Sequence, residues 1–416
     1  MISFFALMLI SIAVMPLWKP HWWHHNYPKV AVGLGAITAS YYAFVMKDWH
    51  RLGHVAHEYV SFIALIGSLF VVSGGIHIRV KGESTPAINC VFLFIGAVLA
   101  NVIGTTGASM LMIRPWIRMN KYRITAFHVV FFIFIVSNVG GCLTPIGDPP
   151  LFLGYLRGVP FWWVMMACWP AWLFAVITLI AVFFFFDYRN FLRAPKAVRD
   201  KETASEEWKF DGLHNIFFIC VILGAVFVKN PPGLSEALMI AAAIGSYFTT
   251  HPHVHEANDF NFEPIREVGW LFVGIFGTMI PALQYLEAHS GSLGLNSEMK
   301  FYWFTGVLSG VLDNAPTYLT FLAAALGRQG MSLDSAADVV AYVGQHGAEL
   351  MAISLGAVFF GAMTYIGNGP NFMVKAISEH ARVKTPSFFG YVRYSASILL
   401  PVLALVAFVF FIWKPF

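Results

Sequence analysis

Long apolar runs separated by short polar turns dominate the chain. A bilayer core takes about 20 apolar residues per helix. On that measure the first half has spans near 2–18, 30–46, 55–78, 124–156 and 161–187. The second half has spans near 212–228, 235–250, 267–288, 349–380 and 390–413. The pattern predicts an all-α polytopic membrane protein with about 10 spans.

Two of these runs are interrupted. Val136–Leu151 lies inside an apolar run but holds three prolines, three glycines and Asp148. Proline removes a backbone donor and clashes with the preceding turn, so a helix must break here. Inside a bilayer, broken backbone survives only where it is buried in protein or lines a polar cavity. Since an ionisable residue at that depth marks a functional site, the break predicts half of an ion-binding site.

A second copy of this break follows in the other half. Residues 141–150, G-C-L-T-P-I-G-D-P-P, align with residues 361–370, G-A-M-T-Y-I-G-N-G-P. Gly, Thr, Ile, Gly and Pro recur in register, with Asp148 matched by Asn368. Paired interrupted segments in corresponding positions of two halves indicate a transporter binding site. The chain therefore divides into a first repeat (1–187), a polar linker (188–211) and a second repeat (212–416).

Two further stretches, 88–113 and 301–327, are apolar at their ends and small or polar in the middle. Each can be read as one full span or as a re-entrant hairpin. If neither crosses, each half has an odd number of crossings and the second half is inverted. Most lysines and arginines then share the side of the linker, as the positive-inside rule requires. We therefore predict two re-entrant hairpins, a cytoplasmic linker, and both termini outside a bacterial-type inner membrane.

Composition agrees with this class. The chain is 58% hydrophobic and 12% charged, against roughly 25% charged in soluble domains. The net charge of +4 does not suggest nucleic acid as a partner. The four cysteines lie in apolar segments without metal-ligand spacing, so neither disulfides nor a zinc site is expected. The N-terminus has no basic leader, and we interpret it as a first span.

Oxygen-bearing side chains cluster at the two breaks and the two hairpin tips. A small hard cation takes oxygen ligands, and broken helices add unwound carbonyls. The candidate ligands are Asn101, Thr105, Thr106, Ser137, Asn138, Thr144, Asp148, Asp313, Asn314, Thr317, Thr364, Asn368 and Asn371. A buried carboxylate is costly when ionised alone, so it holds either a proton or a metal cation. That competition predicts exchange of Na+ or Li+ for protons.

Several of these residues have a simpler interpretation. Asp148 and Asp313 could each cap the half-helix that follows. Lys375 could be a counter-ion to a buried aspartate, or could extend its ammonium group to the interface. His77 and His128 are expected to be satisfied interfacial residues, and Glu58 and Asp187 to be solvated. The run from His251 to Glu256 is expected to be a solvated turn rather than a metal site.

The motifs S-N-V-G-G-C-L-T-P-I-G-D-P-P (137–150), A-N-V-I-G-T-T-G-A-S (100–109), L-D-N-A-P-T (312–317) and M-T-Y-I-G-N-G-P-N (363–371) resemble the ion transporter superfamily. The G-D-P-P ending is most similar to the D-type sodium/proton antiporters. Related families carry citrate, arsenite and dicarboxylates. The hairpin tips lack the Ser-Asn-Thr pattern of the dicarboxylate symporters.

The resemblance implies alternating access by an elevator movement. The hairpins and broken helices would move against a scaffold of spans in 1–78 and 212–288, which could form a homodimer. We expect a secondary antiporter, not an enzyme, whose partners are small cations, protons and the lipid bilayer. No cofactor is expected, and no ATP-binding P-loop pattern is present. Carriage of citrate or another organic anion, arsenite efflux and a non-transporting membrane receptor are the alternatives.

Overall fold

The computed structural model describes residues 1–80, 85–193 and 209–414. Within them the protein is almost entirely helical, and six helices are long and apolar enough to cross a membrane, with four shorter apolar helices beside them. The first half contains α1 (Ile2–Trp18), α2 (Pro20–Ser40), α3 (Trp49–Gly74), α4 (Pro86–Met119), α5 (Ala126–Ile135), α6 (Pro149–Leu156) and α7 (Phe161–Arg193). The predicted all-α polytopic membrane fold is confirmed.

The second half repeats the order of elements. It contains α8 (Asn215–Ala225), α9 (Leu234–Thr249), α10 (Pro252–Ala257), α11 (Glu263–His289), α12 (Glu298–Val311), α13 (Asn314–Arg328), α14 (Ala336–Phe360), α15 (Gly369–His380), α16 (Phe388–Tyr394) and α17 (Leu400–Ala407). Short π-helical turns at 41–45, 395–399 and 408–413 extend their neighbouring helices. In the described residues, β-structure consists of one antiparallel ribbon of β1 (His77–Arg79) and β2 (Lys209–Asp211).

Helix α4 is folded into a hairpin rather than a single span. Its backbone leaves the helical region at Gly104, where φ is 75° and ψ is 157°. The amides of Asn89 and Asn120 bond to each other at 2.8 and 3.1 Å, although a straight helix would hold them about 45 Å apart. Phe92 also stacks on Trp116 with ring centroids 5.7 Å apart. The two arms are therefore antiparallel, with the tip at Gly104.

Helices α12 and α13 form the second hairpin, joined by Leu312 and Asp313. The Arg328 guanidinium at the end of α13 lies over the Phe301 ring near the start of α12, 5.5 Å from its centroid. It also donates to the Leu295 carbonyl oxygen at 3.0 Å. The arms are therefore antiparallel here too. How the hairpins sit in a bilayer stays a prediction.

The two helix breaks share one local geometry. The Gly147 N–H donates to Thr144 Oγ1 at 3.1 Å, and the Gly367 N–H donates to Thr364 Oγ1 at 3.2 Å. At each break a Cβ on the second glycine would strike the carbonyl oxygen of the first glycine of the motif. The alignment of 141–150 with 361–370 therefore matches equivalent turns.

Several predicted boundaries were wrong because a hydropathy ruler measures only the part of a helix inside the bilayer. Helix α2 begins at Pro20 rather than 30, α3 runs over Trp49–Gly74 rather than 55–78, and α14 begins at Ala336 rather than 349. The linker predicted at 188–211 begins inside α7, which continues to Arg193, and it ends in β2. Residues 194–208 of that linker lie outside the described residues.

Elements of the two halves pack across each other. Helix α2 packs along α11, and α3 packs along α9. Small residues allow the first approach: a Cβ on Gly277 would lie 2.8 Å from the Gly35 Cα. In the other layer α13 packs on α6 and α15 packs on α4. Each half's broken helix thus contacts the other half's hairpin, which brings both tips and both breaks to one place.

Candidate functional site

The Asp148 carboxylate lies where the two hairpin tips and the second break meet. Its Oδ1 accepts from Thr105 Oγ1 at 2.7 Å and from Asn368 Nδ2 at 2.9 Å. Its Oδ2 accepts from Asn314 Nδ2 at 2.5 Å. Asp148 is 1% exposed. Residues from both halves therefore converge on one buried acid, and the three hydrogen-bond donors are all neutral.

Capping of α6 does not account for the position of Asp148. It is the residue before Pro149 and Pro150, which occupy the first two helical positions and have no N–H to donate. The next N–H, that of Leu151, donates to the Asp148 carbonyl oxygen at 3.1 Å, and the Asp148 side chain makes no capping hydrogen bond. The capping interpretation of Asp148 was wrong, because the prolines leave its carboxylate to face the hairpin tips.

Asp313, by contrast, is a helix cap. Its Oδ1 accepts from the Ala315 N–H at 3.0 Å, and Thr317 Oγ1 donates to its carbonyl oxygen at 2.8 Å. The capping interpretation is confirmed here, and it engages one carboxylate oxygen. The side chain is half-buried at the second tip. The two predicted acids therefore have unequal environments.

Asn101 and Thr144 tie the first hairpin to the first break. Asn101 Nδ2 donates to the Gly140 carbonyl oxygen at 2.7 Å, and its Oδ1 accepts from the Leu143 N–H at 2.7 Å. Thr144 Oγ1 donates to the Asn101 carbonyl oxygen at 2.6 Å. Since these groups bond to the protein backbone, both residues fix the first hairpin tip against the first break.

Asn138 and Asn371 join the two breaks. Asn138 Nδ2 donates to Asn371 Oδ1 at 2.7 Å. Asn371 Nδ2 donates to the carbonyl oxygens of Gly361 and Thr364 at 2.8 and 2.9 Å. Asn368 Nδ2 lies 3.2 Å from Asn138 Oδ1. This amide network fixes the orientation of Asn368 toward the central acid.

Ser137 lies behind this network. Its hydroxyl is 2.7 Å from the Ser109 hydroxyl in the first hairpin, and both are fully buried. Its carbonyl oxygen accepts from Asn368 Nδ2 at 3.2 Å. Ser109 was missed as a site residue, although it lies inside the tip motif.

A small cleft opens beside the central acid. The half-buried Thr106 lines it together with Thr105 and Asp148. Its other wall is formed by Leu65, Ile66 and Leu69 of α3. Sequence reasoning missed this wall, because three aliphatic residues in a membrane helix carry no chemical signal. The cleft has room for about one water molecule or a small cation next to the carboxylate, so a larger ligand requires it to widen.

Lys375 is not a counter-ion to either aspartate. Its ammonium group pairs with Glu379 at 2.8 Å, one turn along α15, and lies 5.7 Å from the centroid of the Tyr365 ring. The counter-ion interpretation was wrong, because a closer acid on the same helix face takes the charge.

Two acids expected to be solvated are instead buried and paired. Asp187 accepts from Arg123, from His128 Nε2 at 3.0 Å and from Asn89 Nδ2 at 2.8 Å. The Glu58 carboxylate pairs with Arg157 at 2.7 Å. These expectations were wrong because both partners lie far away in sequence. The expectation that His128 is satisfied is confirmed.

His77 is satisfied as well: its Nδ1 lies 2.7 Å from Asn258 Oδ1. Among the described residues no group of three His, Cys, Asp or Glu side chains is placed to hold a metal ion. The run from His251 to Glu256 was expected to be a turn, but residues from Pro252 onward form the short helix α10. The four cysteines are free.

Four half-helices begin at the site, at Thr105, Pro149, Asn314 and Gly369. A helix N-terminus carries about +0.5 elementary charge, so the four contribute about +2. The carboxylates of Asp148 and Asp313 contribute an opposite charge of similar size when ionised. Four half-helices also end there, at Ile103, Ile135, Val311 and Phe360, and their C-termini contribute about −2. The helix ends therefore cancel one another, and the site is negative whenever its acids are ionised.

Residues 1–411 match the model of a family described as "Putative citrate transport". This chain belongs to that family. The match covers both breaks, both hairpins and all the residues around Asp148, so the family's transporter class applies to the whole chain. None of the curated proteins matches with significant similarity. The similarity to the D-type sodium/proton antiporters stays a prediction.

Proposed function

We propose that this protein is a secondary carrier of citrate or a related polycarboxylate, and that Asp148 binds the cation or proton that moves with the anion. The family match supports the substrate class. The observation that carries the coupling is the position of Asp148, a buried acid whose three partners are neutral.

Electrostatics supports cation coupling. Two like unit charges 5 Å apart repel by about 3 kcal/mol at an effective dielectric constant of about 20. A polycarboxylate in the cleft beside an ionised Asp148 would meet this repulsion from each of its charges. The helix N-termini at the site do not offset this repulsion, because as many helix C-termini end there. A proton or a cation on Asp148 removes the repulsion, so anion and cation bind best together.

The cleft beside the first hairpin tip is the proposed place for the anion. Thr106 lines it, and its hydroxyl can donate to a carboxylate oxygen, whereas the Thr105 hydroxyl already donates to Asp148. We further propose that the hairpins and broken helices move as one unit against α1–α3 and α8–α11 in alternating access. We retain the predicted inner-membrane location, with both termini outside.

Exchange of Na+ or Li+ for protons without an organic anion is the second candidate. One observation favours it: no lysine or arginine is among the partners of Asp148, whereas anion sites commonly contain one. In this version Asp148 alternates between a proton and a metal cation, and the cleft holds water.

Purified protein in proteoliposomes separates the two. We expect uptake of labelled citrate driven by an imposed Na+ or pH gradient, and loss of uptake in Asp148→Asn. Collapse of a pH gradient by Na+ or Li+ alone, with no citrate uptake, would favour the second candidate. Neither activity, with arsenite moving instead, would contradict both.

A further inference from the structure

A charged cluster lies at the far end of the half-helix that begins at the site. Arg157 immediately follows α6, whose eight residues begin directly after Asp148. An eight-residue helix is about 12 Å long. Its backbone remains helical to the end, since the Arg157 N–H donates to the carbonyl oxygens of Leu153 and Gly154 at 3.2 Å. Helix α6 therefore connects the central acid and the cluster as one rigid element.

Arg157 joins three parts of the chain. Its Nε lies 2.7 Å from Glu58 Oε1 and its Nη2 lies 2.8 Å from Glu58 Oε2, a two-point contact with α3. Its Nη1 donates to Asp334 Oδ1 at 2.7 Å, in the loop between the second hairpin and α14. Arg51 donates to Asp334 Oδ2 at 2.9 Å. The cluster thus holds the first broken helix to α3 and to the second half.

The opposite end of the molecule has no equivalent of this contact among the described residues. The register that aligns the two breaks places Ile377 opposite Arg157, and Lys375 pairs only within its own helix. Phe70 packs there against Phe260, with Met110 and Met373 beside them. Arg114 and the exposed Asp259 add one weak pair at 3.5 Å. In the described residues, the first broken helix is therefore joined to α3 by buried charges, whereas α15 of the second broken helix contacts α3 through apolar packing.

The cluster is also within reach of water. It borders a second small cleft, which is lined by Arg51, Arg157 and Asp334 together with apolar residues of α11. The Asp334 side chain is 44% exposed. Ion pairs beside water can open and reform, as interface salt bridges do when domains or subunits rotate against each other.

We propose that Arg157, Glu58 and Asp334 form an ion-pair lock that keeps the central cleft closed from the face of the protein that carries Arg157. The proposal rests on the proposed function, since a lock has a role only in a protein that alternates. When α6 shifts with ligand at Asp148, the two-point contact with Glu58 opens and the cleft becomes reachable from that face.

Thiol accessibility tests the lock without any substrate. Ile66→Cys places a thiol on the cleft wall two turns beyond Glu58, in a background with Cys90→Ser and Cys220→Ser. A membrane-impermeant maleimide is applied separately to each face of oriented proteoliposomes. We expect Glu58→Gln combined with Arg157→Gln to raise the labelling rate from the Arg157 face at least fivefold. Both charges are removed together, so that neither is buried alone.

The matched control is Arg328→Gln with Glu349→Gln. It removes another largely buried Arg–Glu pair, which joins the second hairpin to α14, and it should leave labelling unchanged. Unchanged labelling in the lock variant, or an equal rise in the control, would overturn the proposal. If the double variant does not fold, the single variant Asp334→Asn provides the test. Its exposed position tolerates the substitution, and this change by itself should raise the labelling rate.

The two proposals can fail separately. An increased labelling rate in the lock variant, together with no citrate uptake by the wild type, would support the lock and contradict the proposed substrate. Citrate uptake with unchanged labelling would keep the carrier and remove the lock.

Discussion

Replacing Asp148 by asparagine is the most informative single change in the protein. The substitution keeps the size and shape of the side chain and removes one charge. One of the two carboxylate oxygens becomes an NH2 group, which would face a donor. In the wild type, Asn314 Nδ2 donates to Asp148 Oδ2 at 2.5 Å. If the Asn314 amide rotates by 180°, its oxygen can accept a hydrogen bond from the new NH2 group. The fold should therefore tolerate the variant.

Asp148→Asn is expected to change the free energy of unfolding only a little and the cation dependence of transport a great deal. Hydrogen bonds to a charged group are stronger than neutral ones by about 1 kcal/mol each, so the loss over three bonds is about 3 kcal/mol. Relief from burying a charge opposes this loss. For a cation about 3 Å away, the missing charge costs about 5 kcal/mol at an effective dielectric constant of about 20. Allowing for desolvation of the cation, we expect at least about 100-fold weaker cation dependence.

The assay is gradient-driven citrate uptake in proteoliposomes, measured against Na+ concentration and pH, with thermal unfolding as the test of folding. Asp259→Asn is the matched control, because Asp259 is an exposed acid in the loop after α10. The backbone of Asp259 is left-handed (φ 43°), a conformation that asparagine also adopts readily. A folded Asp148→Asn variant whose uptake keeps the wild-type cation dependence would refute the reasoning.

Three further outcomes follow from other contacts. Burial lowers the pKa of His77 below its ordinary value of about 6.5. As the pH drops below about 6.5, the unfolded chain therefore binds a proton that the folded protein does not, and the stability of the fold should fall. Melting temperatures measured from pH 8 to pH 5 should show a smaller fall in His77→Gln than in the wild type. Gly147→Ala should abolish transport, because its Cβ strikes a backbone carbonyl oxygen, whereas Gly369→Ala, with nothing within 4 Å of its Cβ, should not; equal activities would contradict the shared turn geometry. Asp187→Asn removes one side of a buried cluster and should cost about 3–5 kcal/mol, and a melting temperature equal to that of wild type would contradict this.

The breaks, the hairpins and the members of the site could be predicted from sequence because their chemistry is local. Proline and glycine interrupt a helix wherever they stand, and the two copies of the motif mark equivalent turns. Thr105, Asp148, Asn314 and Asn368 were all among the candidate ligands, and the structure brings them into direct contact. Their selection followed from small polar residues in otherwise apolar segments.

The sequence could not predict which candidate residues bond to the backbone, which cap a helix and which contact the central acid. Asn101 and Thr144 satisfy backbone groups of the opposite segment, and only the folded geometry distinguishes that role from ligand binding. Asp148 and Asp313 looked alike in sequence, yet only the Asp313 side chain accepts a capping hydrogen bond. After Asp148, two prolines remove two donors and the Leu151 N–H bonds to the Asp148 carbonyl oxygen, so the carboxylate bonds to the hairpin tips and to Asn368 instead.

Charge pairs at the ends of spans were the other failure. Glu58 pairs with Arg157, which lies 99 residues later in the chain. Asp187 pairs with Arg123, which lies 64 residues earlier. An acid near the end of an apolar run looks solvated unless its distant partner is known. Both pairs connect different helices, so their identification required the tertiary packing.

The central claim is that the cation and the anion bind together through Asp148. Equilibrium binding of labelled citrate to the purified protein, measured over a range of Na+ concentrations and pH values, tests it most directly. We predict that citrate affinity rises with either Na+ or proton concentration in the wild type and loses this dependence in Asp148→Asn. Citrate affinity that is independent of both cations, or that keeps the same dependence in Asp148→Asn, would contradict the account.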